Sequence, residues 1–528
     1  MRYTARAHPV PVLGWTLLLG TLIPLAVFVW THPHAADDDG AGWRMSPVWG
    51  SLGRTAPVLA WSALIGFAVG WPSGAGLALT SRAVRAWAVA ILAPAVLCPA
   101  YLWAVSLQGW KTILPYPWHP WVDGVRGLSI ACGCQNAALV TAISAMTGAW
   151  FSRSELESAW LIGGRALVYR LVLAKQFPLA LGLSLGGAAL ILSDPGAPQL
   201  MGYHTIASEI HVALAAGDLG RVTGRIGTTM GALGLMLAVP GWLAFSLRGP
   251  AGPRTAWNAA AGLEGSELAG WGVRAIYGVV GLAVTLAGGF VLPVWKNPGA
   301  LLSLRDGVAV LRESWGATFE CSSAAGLTCL VVGLPLGYAI SRSSSLFRAA
   351  IIAQVIFLIC PPQVHALGFH RICEWLRTAN WPEELQGALV GICSALRFLP
   401  VCAVGISFWL GSLPESWGDA AQVAGVPRGR FWVNIVLPVA WRTAIGLALA
   451  FGLFSLSDVS SAVVTQPPGW SSYPLRLFAL MDNALAAQVS ALCLIYWAAA
   501  LMIAGVILGI TATETHQLVL PWKSNSKT

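Results

Sequence analysis

Asp419-Ala420-Ala421-Gln422-Val423-Ala424-Gly425 sets an acid, two adjacent alanines and a glycine in one short run, and Ile435-Val436-Leu437-Pro438 begins ten residues after the glycine. The run predicts a short helix built to lie against another surface. Two small residues permit close approach, the acid offers a charge-assisted contact, and the glycine turns the chain out of the helix. A weaker copy, Glu157-Ser158-Ala159 with Gly163, lies 262 residues earlier. Other markers keep nearly the same spacing, at offsets of 263 and 264. Gly70-x-Pro72-x-Gly74 recurs as Gly333-x-Pro335-x-Gly337, each followed by Ser-Arg at Arg82 and Arg342, and Ser193-Asp194 recurs as Ser457-Asp458. A period of half the chain predicts two copies of one unit.

Composition says where those units sit. Of 528 residues 56% are hydrophobic and only 10% charged, with 27 Trp and a mean hydropathy of +0.68. A chain so apolar is expected to be an all-α polytopic membrane protein, with indole rings at the membrane–water boundary. Twelve apolar segments are long enough to cross a bilayer: 10–30, 56–80, 86–107, 127–150, 176–193, 226–247, 275–295, 317–340, 349–369, 387–410, 439–458 and 488–511. The first follows Arg2 and Arg6 and is too long for an ordinary signal-peptide core, so it reads as an uncleaved span. Six spans per unit is an even number, so both halves have the same orientation, related by an axis along the membrane normal. The expected division is 1–247, a Gly/Pro/Ala-rich linker at 248–270, and 271–528, with the motif loops at 151–175 and 411–438.

The net charge of +9 would suit nucleic acid in a soluble protein, but here the basic residues fall mainly in short loops between spans. With both termini inside, inner segments hold 18 Lys/Arg, including Arg153, Arg165, Arg170, Lys175, Arg428 and Arg430, against 12 in outer segments. That bias places both acidic-Ala loops on the cytoplasmic side. Ten cysteines are scattered, mostly in apolar runs, with no C-x-x-C pair; Cys132-Gly133-Cys134 is too tight for ordinary ligand spacing, and they read as small buried hydrophobes.

Taken together, the two acidic-Ala loops, the I-x-L-P run and the repeat resemble a fused type I ABC-importer permease, most like the ferric-iron transport branch. Arg397-Phe398-Leu399-Pro400 is similar to that branch's Arg-aromatic-Leu-Pro segment, and Phe451 to Val459 also matches, with Asp458 where the family often has Glu. The resemblance implies a permease subunit that binds no cofactor of its own. ATP would be bound on two separate ABC ATPase subunits, docked through Glu157, Ser158, Ala159 and Gly163 in one half and Asp419, Ala420, Ala421, Gly425, Leu437 and Pro438 in the other. It further implies an extracytoplasmic solute-binding protein, a bacterial inner-membrane location, and ferric iron as solute, with thiamine or a phosphonate next. The first half departs from the pattern: Leu173 stands at the Ile position, but Lys175-Gln176 replace Leu-Pro, and Phe177-Pro178 comes two residues late.

Weaker constellations have two readings each. Asp194 and Asp458, at equivalent helix ends, would either greet a solute at the outer mouth or make helix-end hydrogen bonds. Arg397 falls inside a span, where charge is costly, with Gln135 and Asn136 on the equivalent helix. These five line the pathway, or Arg397 is tied to backbone carbonyls or a nearby acid. His32, His34 and Asp37-Asp38-Asp39 carry metal-ligand chemistry but read as a solvated loop, so no metal site is expected. The groups His365, His370, Glu374 and His204, Glu209, His211 would touch a binding protein or solute, or have structural roles. No G-x-x-x-x-G-K-[ST] or H-E-x-x-H occurs. The competing classes are a twelve-span secondary transporter and a polytopic membrane enzyme.

Overall fold

The computed structural model describes residues 9–31, 46–146, 153–191, 194–216, 269–360, 362–377, 386–411, 415–481 and 483–519. These form helices and short 3-10 and π turns, with no strand among them. In chain order the α-helices are α1 (Pro9–Thr31), α2 (Ser46–Ile65), α3 (Trp71–Ala78), α4 (Arg82–Leu97), α5 (Ala100–Lys111), α6 (His119–Val122), α7 (Gly124–Met146), α8 (Arg153–Ile191), α9 (Gly196–Leu200) and α10 (Ile206–Ala215). Then come α11 (Ala269–Lys296), α12 (Ala300–Val331), α13 (Gly333–Arg342), α14 (Ser344–Ile359), α15 (Pro362–Arg377), α16 (Gln386–Gly411), α17 (Glu415–Val423), α18 (Arg428–Phe431), α19 (Leu437–Leu456), α20 (Val459–Thr465), α21 (Tyr473–Leu480) and α22 (Ala486–Val519).

Seven described helical segments are long and apolar enough to cross a membrane, or nine when two bent pairs each count as one span. The chain is therefore an all-α multi-pass membrane protein. Helix is the form expected there, because lipid offers the backbone no hydrogen-bond partner. The expected span 226–247 and nearly all of the linker lie outside the described residues.

One bent pair joins Gly429–Val436 to Trp441–Leu456 at 80°; the other is the expected span 86–107, and the expected span 349–369, which is not among the nine, is interrupted in the same way. Segment 86–107 is α4 and α5, bent by 94° at Cys98-Pro99. Proline has no N–H to continue the ladder and forces the residue before it out of helical geometry; Cys98 is extended, with ψ 141°. Segment 349–369 breaks likewise at Cys360, which is extended with ψ 124° and precedes Pro361. The two Cys-Pro pairs are 262 residues apart. So are the serines that cap α4 and α14 at their starts: Ser81 accepts from Val84 N–H at 3.4 Å and Ser343 from Leu346 N–H at 3.3 Å.

Packing follows a reciprocal scheme. α2 and α3 lie on α7, and α12 and α13 lie on α16. The first helix of each set crosses to the other: α1 packs on α13 and α15, while α11 packs on α3, α4 and α5. Both crossings need close approach. Gly14 faces the Ala339 and Leu346 side chains, and Gly109 and Gly289 bring α5 and α11 together backbone to backbone. Ser106 Oγ and Trp110 Nε1 then donate to the Thr285 carbonyl at 2.9 and 2.7 Å. A Cβ on Gly109 would fall on the Gly289 carbonyl oxygen. Gly109→Leu is thus expected to cost about 3 kcal/mol, the upper end for overpacking, seen as a lower thermal midpoint in detergent. Between the sets, Tyr101 OH donates to the Pro474 carbonyl at 3.2 Å, inside a core that runs from Leu102 and Trp103 to Leu477 and Cys493.

Candidate functional site

Two short helical stretches carry the acidic-Ala runs. α17 ends on Gly425, at φ 66°, where a side chain would be strained. Gly425 N–H donates to the Gln422 carbonyl at 3.0 Å and Val426 N–H to the Ala421 carbonyl at 2.9 Å. This pair of bonds satisfies carbonyls that the helix end leaves open. Ala421 packs inward; Asp419 and Ala420 face outward, and Val423 is 91% exposed. Past the turn, Leu437 and Pro438 are exposed at the start of α19, the proline in its first turn, where a missing N–H costs nothing.

In the first set the short helix is the opening of α8. Leu156 and Ala159 are buried against Ala75, Val168 and Val172. Ser158 faces out, Glu157 is half-buried, and the apolar tip Leu161-Ile162 is 84% and 81% exposed. Ala159 and Leu161 thus repeat Ala421 and Val423, inward and outward, 262 residues earlier. The turn differs. It uses two glycines, Gly163 (φ −143°) and Gly164 (φ 59°, ψ −154°), so the left-handed residue is Gly164 rather than Gly163. Lys175 and Gln176, standing where Leu-Pro was expected, have their own contacts. Lys175 Nζ pairs with Glu155 at 2.8 Å, tying the short helix to the outgoing one, and Gln176 Nε2 donates to the Ser144 carbonyl at 3.1 Å.

The five candidate pathway residues fall into two groups. Asn136 is buried where α2, α7 and α8 meet and donates to the Ser62 and Ser184 carbonyls at 3.2 and 2.7 Å. Gly66 and Gly187 leave the slot its amide fills. The other four sit at the broken helices, whose ends expose backbone groups that lipid cannot satisfy. Gln135 Nε2 donates to the Cys98 carbonyl at 2.8 Å, and Asp194 accepts from Tyr101 N–H at 3.2 Å and Gly196 N–H at 2.9 Å. Gln135 thus closes the end of α4 while Asp194 closes the start of α5.

At the second break Arg397 takes the place of Gln135. Its Nε donates to the Phe357 carbonyl at 3.3 Å, and Nη1 pairs with Asp458 at 3.2 Å, both side chains almost wholly buried. Asp458 also accepts from Ser461 N–H at 3.3 Å, capping α20, and lies 2.7 Å from Ser461 Oγ. Asp458 is therefore a buried ion-pair partner and helix cap in this structure, not a solvated charge.

Around that pair lie polar atoms that no hydrogen bond reaches. Gln363 Nε2 and Oε1, His365 Nε2, Ser394 Oγ and Arg397 Nη2 are buried without a partner. Each such atom costs about 1–3 kcal/mol. Cys393 Sγ lies 3.7 Å from His365 Nδ1, and His365 stands edge-on to Phe357. The remaining histidine groups separate. His370 and Arg371 pair with Glu374 at 3.3 and 2.9 Å on the outer face of α15. Glu209 pairs with Arg54 at 2.5 Å, which ties α10 to α2, and His211 meets Phe478. His32, His34 and Asp37 to Asp39 lie outside the described residues.

Sequence reasoning did not single out Gln363, Ser394 or the two Cys-Pro breaks. The available signal was the recurrence of Cys-Pro at the repeat spacing, which marks where the backbone opens. Compared with known proteins, the chain matches no family model, no curated protein and no solved structure.

Proposed function

We propose that this chain is the permease of an ATP-driven importer, with two ATPase subunits docked on the short helices at Glu157–Gly163 and Asp419–Gly425. The observation that carries the reading is the shape of those two helices. Each buries one alanine inward and turns at a glycine, directly into the rest of α8 in the first half and through α18 and a π turn into α19 in the second. Each also offers a bare apolar tip, Leu161-Ile162 or Val423, beside an acidic residue. Exposed apolar side chains grouped with a charge favour a protein partner. Either tip is joined through a short connection to a long apolar helix, as coupling to nucleotide-driven closure requires.

The reciprocal crossing of α1 and α11 and the paired breaks at Cys98 and Cys360 support two like halves of six spans each, twelve in all, with the route between them. On this reading the protein lies in a bacterial inner membrane with both termini cytoplasmic, carries no ATPase site itself, and receives solute from an extracytoplasmic binding protein. The sequence resemblance favours ferric iron as solute, ahead of thiamine or a phosphonate. Mild solubilisation of native membranes and affinity purification of the chain, followed by mass spectrometry, is the test. A nucleotide-binding ATPase is expected in stoichiometric yield. Its absence under conditions that preserve complexes would favour a twelve-span secondary transporter.

A further inference from the structure

The two broken helices share a backbone plan but not a lining. Positions 101, 103, 132 and 135 at the first break correspond, 262 residues on, to 363, 365, 394 and 397. At the first break they are Tyr101, Trp103, Cys132 and Gln135. Tyr101, Trp103 and Gln135 find carbonyl partners at 3.2, 3.0 and 2.8 Å, and Cys132 is an apolar filler in the core. At the second break they are Gln363, His365, Ser394 and Arg397, and every one keeps at least one buried polar atom without a partner.

These four lie on α15 and α16, which contact each other. Ser394 and Arg397 are three residues apart on α16 and share a face. Cys393, next to Ser394, touches His365. Gln363 adjoins Pro362, whose carbonyl lies 3.4 Å from Ser461 Oγ beside Asp458. The first break fills the matching positions with side chains whose polar atoms are paired. Buried polar side chains without a protein partner call for a water, a solute or a second arrangement to satisfy them.

We infer that Gln363, His365, Ser394 and Arg397 form a one-sided solute-contact site, closed in this structure and wetted when α15 and α16 part, that takes neutral hydroxyl- or amide-type groups. The chemistry follows from what is left over. Asp458 is already engaged by Arg397 and Ser461, so this carboxylate is not free to hold a bare cation, and the Arg397 charge is already balanced. The unpaired atoms offer both donors and acceptors: a guanidinium N–H, an amide at both ends, a hydroxyl and an imidazole nitrogen. Among the described residues no group of three His, Cys, Asp or Glu side chains is arranged around a metal position. The inference rests on the permease reading for its opening motion, places the contact at the second break rather than the first, and departs from the ferric iron that the sequence resemblance favours.

Two thiols report on it within one molecule. Cys393 and Cys132 are both fully buried here, and Cys132 occupies the first-half equivalent of Ser394. Native membrane vesicles are treated with hydroxyethyl methanethiosulfonate, with and without ATP, and the modified cysteines are mapped by mass spectrometry. Cys393 is expected to react about tenfold faster than Cys132, as a locally opening segment does beside a closed one. Ser394→Cys, nearly isosteric, places a thiol at the position matching Cys132 and is expected to show the same excess. A trimethylammonium methanethiosulfonate is expected to react more slowly than the hydroxyethyl reagent. Equal protection at 393, 394 and 132, or preference for the cationic reagent, would overturn the inference. An excess at 393 and 394 that is indifferent to ATP would sustain the site and count instead against ATP-driven coupling.

Discussion

Arg397→Met is expected to cost about 3–5 kcal/mol, because it leaves the Asp458 carboxylate buried without its counter-charge. The substitution keeps much of the side-chain volume, so the loss reports charge rather than packing. Arg397 also closes the end of α14 through the Phe357 carbonyl, and that carbonyl loses its donor in the same stroke. The double replacement Arg397→Met with Asp458→Leu removes both charges together and is expected to recover most of the loss. It does not recover all of it, since Asp458 caps α20. Thermal unfolding in detergent, run as a four-member cycle, gives the pair's coupling directly. A single substitution that is as stable as the wild type would mean that the pair is not formed.

The second large effect is on assembly rather than folding. Asp419 is exposed on α17, so Asp419→Arg is expected to change stability by no more than about 0.5 kcal/mol. At a docking surface the same reversal is expected to cost about 2–5 kcal/mol of binding, enough to lose the co-purifying ATPase. Gly425→Trp reaches the same end by another route, since a side chain at φ 66° distorts the turn that presents the helix. Glu157→Arg is expected to act more weakly, because Glu157 is half-buried and its helix is held by Leu156, Ala159 and the Lys175–Glu155 pair. Retention of the ATPase by Asp419→Arg would remove the acid from the docking surface.

Hydropathy made the helical, multi-pass architecture legible, because a 20-residue apolar run has few other fates. The breaks were not legible from hydropathy: Cys98-Pro99 and Cys360-Pro361 sit inside apolar runs, and an average over a window passes through them. Proline was the local signal, and its recurrence after 262 residues was the global one. The turning glycine was readable at Gly425, where one glycine stands alone. At Gly163-Gly164 two adjacent glycines can each take the left-handed region, and only the packed helix decides in favour of Gly164. Arg397 and Asp458 were each conspicuous as polar residues in or beside a span. Their pairing was not legible, because 61 residues and two helix directions separate them. Gln363 and Ser394 look ordinary in sequence. They become informative only when burial shows that they have no partner.

If the two short helices dock ATPase subunits, site-specific cross-linking from their tips captures those subunits. A photo-reactive residue is placed at Leu161 or Val423, which are 84% and 91% exposed, and irradiated in native membranes. The account requires both positions to cross-link to a nucleotide-binding ATPase, with a control at buried Leu156 silent. Adducts with lipid alone, or with no ATPase at either tip, would contradict it.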